Sequence, residues 1–165
     1  MTVDAPCEGT CYQCVSTDKP PFNSGAFLRV GVNGKTVPMC MDSGCTYTTL
    51  SERLCTPNTI RLKASVRNKC ASGVIEKINQ YGWFILSVAP GFNLETRALI
   101  APDKPGTPDL LLGRDTMREM RVTLDLTNSL AEISGSVVRL QPSPEACLKN
   151  EPYVYPSLTL TIGGH

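Results

Sequence analysis

The stretch that decides the fold runs from Pro38 to Leu50 and reads PMCMDSGCTYTTL. Asp42 directly follows an apolar run, so an acidic side chain is placed at the end of a buried strand. Burying an ionised carboxylate is costly unless it is paired, hydrogen-bonded or protonated. Ser43 can donate and accept hydrogen bonds, and Gly44 permits a tight turn. Asp-Ser-Gly alone is also a common turn composition. Its position directly after a strand, however, indicates that Asp42 is held in place for a functional role.

Two β-rich runs lead into Asp42. They span residues 26–32 and 35–41, and Asn33-Gly34 separates them. Asn-Gly between such runs is a strong hairpin signal because both turn residues must adopt positive φ. We therefore predict a hairpin with Asp42 just past its second arm.

Further strands are predicted after Asp42. Residues 46–50 continue extended, and Ser51 is expected to cap a helical turn over 52–54. Residues 59–78 alternate around a polar centre at 67–73 and predict a second hairpin. Strands at 81–88 and 95–100 follow, joined by a turn-rich segment at 89–93, with Trp83 assigned to the core.

A second motif lies about seventy residues after Asp42. Residues 108–115 read PDLLLGRD, an apolar strand that runs into a glycine. A short helix is predicted over 116–120 with Asp115 as its N-cap, followed by strands at 122–126, 130–133 and 137–140. Many short strands with frequent turns and one short helix are typical of an all-β, barrel-like domain.

Taken together, the two motifs resemble those of the retropepsins, the aspartic proteases of retroviruses and LTR retrotransposons, over about Phe27 to Leu140. The resemblance implies an all-β closed barrel with a flap hairpin at 59–78 and one short C-terminal helix. It divides the chain into a Cys-rich leader (1–23), a retropepsin-like domain (24–140) and a Pro-rich tail (141–165) with a possible terminal strand at 157–162. Residues 136–140 or 157–162 would supply the intersubunit sheet of such a protease.

The resemblance also implies an activity, an aspartic endopeptidase of retroelement origin that cleaves extended peptides. Such an enzyme needs two carboxyls that share a proton around a water, and this chain has one Asp-Ser-Gly. The active form would therefore be a homodimer in which Asp42 of each copy meets its equivalent at the two-fold axis. Ser43 and Gly44 would support the pair.

The remaining site residues follow from the same resemblance. Substrate contacts would come from Cys45, Thr46, Asn68, Lys69, Cys70, Ala71, Ser72, Gly73 and Leu111. The structural layer behind the site would be Leu112, Gly113, Arg114 and Asp115, with Arg114 in an ion pair.

Two departures from the family pattern leave a second reading open. Cys45 stands where an alanine is usual, and Thr46 and Tyr47 stand where an acidic residue often contacts the substrate backbone and the arginine. The alternative is a catalytically silent retropepsin-like module that dimerises or binds peptides within a larger intracellular protein.

Composition and charge bear on whether the protein binds nucleic acid, spans a membrane or is secreted. The chain of 165 residues suits one domain. Its net charge of +1 and pI near 7.5 give no electrostatic footprint for nucleic acid. No apolar run approaches a membrane span, and the N-terminal residues show no secretion signal, so we expect an intracellular protein away from membranes.

The eight cysteines are expected to be thiols. The leader provides three possible zinc ligands, Cys7, Cys11 and Cys14, and no histidine. A structural zinc site normally has four Cys or His ligands. No metal or cofactor is therefore predicted, and the leader is expected to be flexible or to form an edge strand.

Overall fold

The structure is a computed structural model, and it describes residues 26–69, 75–89, 92–105, 107–149 and 154–155. The predicted leader, the flap tip at 70–73 and the predicted terminal strand at 157–162 lie outside these ranges. No helix among the described residues is long and apolar enough to cross a membrane.

Strands make up most of the described chain. The strands are β1 (Phe27–Val32), β2 (Lys35–Met41), β3 (Thr49–Ser51), β4 (Arg61–Lys69), β5 (Ile75–Ala89), β6 (Phe92–Ala101), β7 (Leu110–Leu112), β8 (Val122–Asp125), β9 (Leu130–Ile133), β10 (Ser136–Arg139) and β11 (Val154–Tyr155). The helices are a 3₁₀ turn at Glu52–Leu54, α1 (Arg114–Glu119) and α2 (Pro144–Lys149).

The larger sheet closes into a barrel. Its strand order is β1-β2-β7-β3-β6-β5-β4, and β1 also pairs with β5. Six strands therefore form the closed barrel, and β4 extends from β5 outside it. The predicted all-β barrel is confirmed. A second sheet, in the order β11-β10-β9-β8, carries the C-terminal strands.

The predicted first hairpin sets the position of Asp42. Asn33 and Gly34 have φ values of 49° and 85°, and Val32 pairs with Lys35 across them. Both φ values are positive, as a two-residue turn of this hand requires. β2 ends at Met41, so Asp42 follows the second arm directly, as predicted.

A parallel pairing brings the two sequence motifs together. β2 runs parallel to β7, with Met41 opposite Leu112. β3 lies on the other side of β7 and pairs with it in the antiparallel sense. The strand ends that carry Asp42 and Gly113 therefore lie side by side, although these residues are far apart in the sequence.

Three local predictions need correction. β5 is one strand of 15 residues, where the sequence suggested two separate strands. It stays continuous through Gly82, where an added Cβ would lie 2.9 Å from Ile100 Cδ1, so this glycine allows a close approach and does not mark a turn. α1 begins at Arg114 with Gly113 at the N-cap, so Asp115 lies in the first turn and is not the cap.

The strand predicted at 46–50 is the third. Only Thr49–Ser51 is strand, because the segment before it bends and its carbonyls serve α1: Arg114 N–H donates to Cys45 O and Asp115 N–H donates to Thr46 O. The helical turn at Glu52–Leu54 is present, but the Ser51 side chain makes no capping hydrogen bond.

The segment after Leu140 packs on the barrel. Phe27 and Gln141 exchange two backbone hydrogen bonds, and α2 buries Cys147 against Phe27 and Cys40. The Ser143 hydroxyl accepts from Ala146 N–H at 3.1 Å, and Pro144 is the first helical residue. β10 pairs with β9 and β11 on its two sides. Residues 136–139 are therefore unavailable as the edge strand that the sequence offered for the intersubunit sheet.

Candidate active site

Asp42 lies at the end of β2, half-buried, in a tight loop that binds its own side chain. The Gly44 N–H donates to Asp42 Oδ1 at 2.9 Å, and the Cys45 thiol donates to Oδ2 at 3.4 Å. The Asp42 N–H donates to Leu112 O at 3.0 Å, which fixes the loop to the second motif. Both carboxylate oxygens are thus oriented by the residues that follow Asp42 in the chain.

Ser43 and Gly44 form the tip of this loop. Ser43 is exposed and Gly44 is half-buried. The loop therefore reaches the surface of the single chain, where a second copy could meet it.

The second motif is held behind the loop by Thr48. The Gly113 N–H donates to Thr48 Oγ1 at 3.0 Å, and Thr48 Oγ1 and Thr48 N–H both donate to Asp115 Oδ1, at 2.9 and 3.0 Å. An added Cβ at Gly113 would lie 2.5 Å from the Tyr47 carbonyl carbon. The structure thus brings the predicted structural residues Gly113 and Asp115 to the back of the site. The sequence analysis missed Thr48, which has no local signal because its partners lie 65 and 67 residues away.

Arg114 projects toward the Asp42 loop. Its Nη2 donates to Thr46 Oγ1 at 3.0 Å and its Nη1 to the Ser43 carbonyl at 3.4 Å. Both acceptors are uncharged, so these contacts take the place of the ion pair expected from the sequence. The reason is local, since Thr46 stands at the departure from the family pattern that the sequence analysis identified.

Several predicted substrate contacts are buried in this structure. Cys45 is 2% exposed, Asn68 is 3% exposed, and Leu111 is fully buried between β2 and β3. Thr46 is half-buried. Lys69 ends β4, and Cys70, Ala71, Ser72 and Gly73 lie outside the described residues. A role for these residues in substrate binding stays a prediction.

The predicted flap is a hairpin made of β4 and the first part of β5. Val66 lies opposite Ile78, and both are buried with Tyr81 and Leu99, against which Tyr47 packs. The hairpin therefore rests on the segment that follows the Asp42 loop. Near its tip, the hairpin is tied to the loop before β7 by an ion pair between Glu76 and Lys104, which the sequence analysis did not identify.

An open groove of about 480 Å³ lies elsewhere on the barrel. Trp83, Ile60 and Ile85 line it together with Asn33, so Trp83, which was assigned to the core, is half-buried at its wall. Asn33 precedes β2 and Asp42 follows it, nine residues further on. At ~3.3 Å per residue, this separates Asn33 from Asp42 by about 30 Å along the strand. The groove does not belong to the Asp42 site.

The described residues include four cysteines and several acidic side chains that could in principle form disulfides or bind a metal. Cys40, Cys45, Cys55 and Cys147 form no disulfides. In the described ranges, no group of three or more His, Cys, Asp or Glu side chains is arranged to hold a metal ion. Cys7, Cys11 and Cys14 lie outside these ranges.

Comparisons with known proteins identify similar folds and the family of the chain. Among solved structures, the retroviral protease-like domain of Ddi1 from Leishmania major aligns over 72% of this chain and 94% of its own, with a TM-score of 0.51 and 14% identity. The EIAV protease complexed with the inhibitor HBY-793 aligns over 67% and 97%, with a TM-score of 0.46 and 18% identity. No curated protein matches the sequence. A family model described as retroviral aspartyl protease matches residues 23–125, more than half of the sequence, and the chain belongs to that family.

Proposed function

We propose that the domain is an aspartic endopeptidase of retroelement origin that works as a homodimer, with Asp42 of each copy as the catalytic carboxyl. The observation that carries the proposal is the orientation of Asp42. Gly44 and Cys45 each donate to one of its oxygens, in a loop whose tip is exposed. Other support is the family to which residues 23–125 belong.

The second carboxyl is proposed to come from a second copy. The other motif has two acidic residues. Asp109 is paired with Arg53. Asp115 Oδ1 already accepts from Thr48 and from Thr116 N–H. It therefore serves the back of the site. Two Asp42 carboxyls brought together across a two-fold axis would share one proton, which is the state that activates water and polarises a peptide carbonyl.

In this proposal Ser43 and Gly44 support the pair, and an extended peptide lies between it and the β4–β5 hairpin. The folded unit corresponds to residues 24–140, with α2 packed on β1 and β2 as an addition. The intersubunit strand is left to residues outside the described ranges, since both sides of β10 are already paired.

Cleavage of a peptide library, read by mass spectrometry, tests the activity. We expect cleavage that pepstatin-type inhibitors block and that Asp42→Asn abolishes, because the amide can accept the Gly44 hydrogen bond but cannot act as a base. Light scattering on both proteins reports the assembly state. Cleavage that survives Asp42→Asn would refute the proposal.

Mixed dimers test whether each copy contributes one carboxyl. When the natural chain and Asp42→Asn are unfolded together in equal amounts and refolded, random pairing leaves about a quarter of the dimers with two natural chains. Activity per total protein should fall to about that fraction. A fall to one half would mean that a single chain suffices.

The competing function is a silent dimerisation or peptide-binding module. The observation that favours it is the contact between Thr46 and Arg114, in which the Thr46 hydroxyl accepts a hydrogen bond from the guanidinium. Thr46 stands where the family often has an acidic residue that contacts the substrate backbone. Dimerisation or peptide binding without cleavage, at acidic and at neutral pH, would support this module and exclude the protease.

A further inference from the structure

Arg114 carries a positive charge beside the Asp42 loop that its hydrogen-bond partners do not neutralise. Its guanidinium donates to the Thr46 hydroxyl and to the Ser43 carbonyl, and the side chain is exposed. A guanidinium has five N–H donors and is matched in shape to a carboxylate. Two neutral acceptors leave both the charge and further donors of Arg114 available to a ligand.

The neighbouring acidic residue is turned away from this side. Asp115 Oδ1 accepts from Thr48 N–H, from the Thr48 hydroxyl and from Thr116 N–H, behind the loop. The backbone of Arg114 is fixed, because its N–H donates to Cys45 O at 2.8 Å. The cation is therefore anchored directly next to the residues that follow Asp42.

The β4–β5 hairpin also carries positive charge, which on Arg67 and Lys77 lies on the face opposite to Val66 and Ile78. Its described residues, 61–69 and 75–80, contain five basic residues and one acidic residue. Glu76, the acidic residue, is paired with Lys104, and Arg61, one of the basic residues, is paired with Glu52. Arg67 and Lys77 are exposed and lie directly opposite one another, an arrangement of like charges that is unfavourable by itself.

The basic character is local, since the whole chain carries a net charge of only +1. Val66 and Ile78 of the hairpin pack with Tyr47, next in sequence to the Thr46 that binds Arg114. The hairpin and Arg114 therefore both adjoin the segment at 46–47, and Arg67 and Lys77 lie on the outer face of the hairpin. Positive charge on the walls of a cleft attracts anionic ligands and raises their local concentration.

We propose that this site selects acidic peptides, with Arg114 binding a Glu or Asp side chain of the substrate. Where the inference concerns selective cleavage, it rests on the proposed function. Arg114 Nη1 contacts the residue next to Asp42, so the acidic residue would lie within about three positions of the scissile bond, at ~3.3 Å per extended residue. Arg114 is thus a specificity-determining residue, and the hairpin contributes long-range attraction.

The test uses peptide pairs that differ only by Glu or Gln at one position near the cleavage site of a library peptide. We expect kcat/KM to be about five-fold higher for the Glu peptide, the size of an exposed ion pair. The preference should decline as ionic strength rises.

Two variants remove the charge by different routes. Arg114→Gln deletes it, and Thr46→Asp neutralises it while the arginine stays in place. Both should bring the Glu-to-Gln ratio close to one. Arg118→Gln, which removes another exposed cation from α1, is the matched control and should preserve the ratio.

Binding to the Asp42→Asn protein separates this inference from the proposed activity. Fluorescence anisotropy with the same labelled peptides should show tighter binding of the Glu peptide. If no peptide is cleaved but this preference is observed, the protease proposal fails and the acidic selectivity holds. Equal cleavage or equal binding of the two peptides overturns the selectivity, and so does the absence of binding of either peptide. A preference for the Glu peptide that persists in Thr46→Asp also overturns it.

Discussion

Thr48 and Asp115 are 67 residues apart in sequence and are joined by two hydrogen bonds. The Thr48 hydroxyl also accepts from Gly113 N–H, and Thr48 is fully buried. One threonine therefore connects the segment after the Asp42 loop to the start of α1. The position of Asp42 against the second motif depends on this connection.

The first prediction is that Thr48→Val destabilises the domain by about 1–3 kcal/mol, the usual cost of a buried polar group left without its partner. Valine keeps the shape of threonine but provides neither an acceptor for Gly113 nor a donor for Asp115. Urea unfolding monitored by Trp83 fluorescence would measure the change. Thr49→Val is the matched control because Thr49 is also buried, and we expect a much smaller effect. Similar losses in the two variants would contradict the role assigned to Thr48.

The second prediction concerns the close approach of α1 to the Asp42 loop. Gly113→Ala would place a methyl group 2.5 Å from the Tyr47 carbonyl carbon and 2.6 Å from its oxygen, and backbone atoms cannot move aside cheaply. We expect a loss of about 3 kcal/mol or more, at the upper end of overpacking effects. In the proposed enzyme, cleavage should fall as well, since the loop would be displaced.

Gly31→Ala provides the comparison for this variant. Its added Cβ would lie 3.3 Å from Ser87 Cβ, a tight contact but far looser than the 2.5 Å approach at Gly113. The thermal midpoint of Gly31→Ala should therefore fall far less. If the two alanine variants melted together, the packing of Gly113 against Tyr47 would not be a constraint on the fold.

The sequence predicts those parts of the fold in which neighbouring residues carry the signal. Asn33-Gly34 identifies the first hairpin because the turn itself demands those residue types. The apolar run into Asp42 and the run into Gly113 identify two buried strand ends. Their parallel pairing has no local signal in the sequence, because the two strands lie about seventy residues apart.

The features that sequence reasoning missed depend on distant partners or on competing signals. In the sequence, Thr48 is one more residue of the segment predicted as extended, and its role depends on Gly113 and Asp115. The Arg114 contacts depend on Thr46, 68 residues earlier. α2 did have a local signal, because Ser143-Pro144 is a typical N-cap and first helical residue, but the surrounding prolines led to its interpretation as an irregular tail.

The third prediction concerns the ion pair that holds the hairpin. Glu76 Oε2 is bound by Lys104, while Glu76 Oε1 is buried without a hydrogen-bond partner among the described residues. Lys104→Met would leave a carboxylate that is only 11% exposed without its cation. Since Lys104 itself is 37% exposed, we expect a loss of about 1–2 kcal/mol, less than for a fully buried pair.

Hydrogen exchange is the direct measurement for this pair. The amides of β4 and of the first residues of β5 should exchange faster in Lys104→Met, and the double variant with Glu76→Gln should recover much of the protection. Lys77→Met, which removes an exposed cation from the same hairpin, should leave exchange unchanged. Faster exchange in Lys77→Met alone would assign the effect to general charge and not to the Glu76–Lys104 contact.

The fourth prediction is a pH dependence of stability from Cys147. Burial against Phe27 and Cys40 raises the pKa of the Cys147 thiol from 9.0 to about 11, and the nearby Arg29 opposes this only in part. The folded state therefore keeps the proton that the unfolded state releases above pH 9. The stabilisation is complete below pH 9 and is lost as the pH rises toward 11, by an amount on the order of 2 kcal/mol.

Urea unfolding of the natural chain and of Cys147→Ala across pH 8–11 measures this contribution. The alanine variant should be less stable at pH 8, because it leaves a small cavity beside Phe27, but its stability should fall less steeply between pH 9 and 11. The thiol should also react slowly with iodoacetamide at pH 8 in the folded protein, since the thiolate is the reactive form. Parallel pH profiles for the two proteins, or rapid alkylation of Cys147 in the folded state, would show that α2 does not keep this thiol buried and protonated.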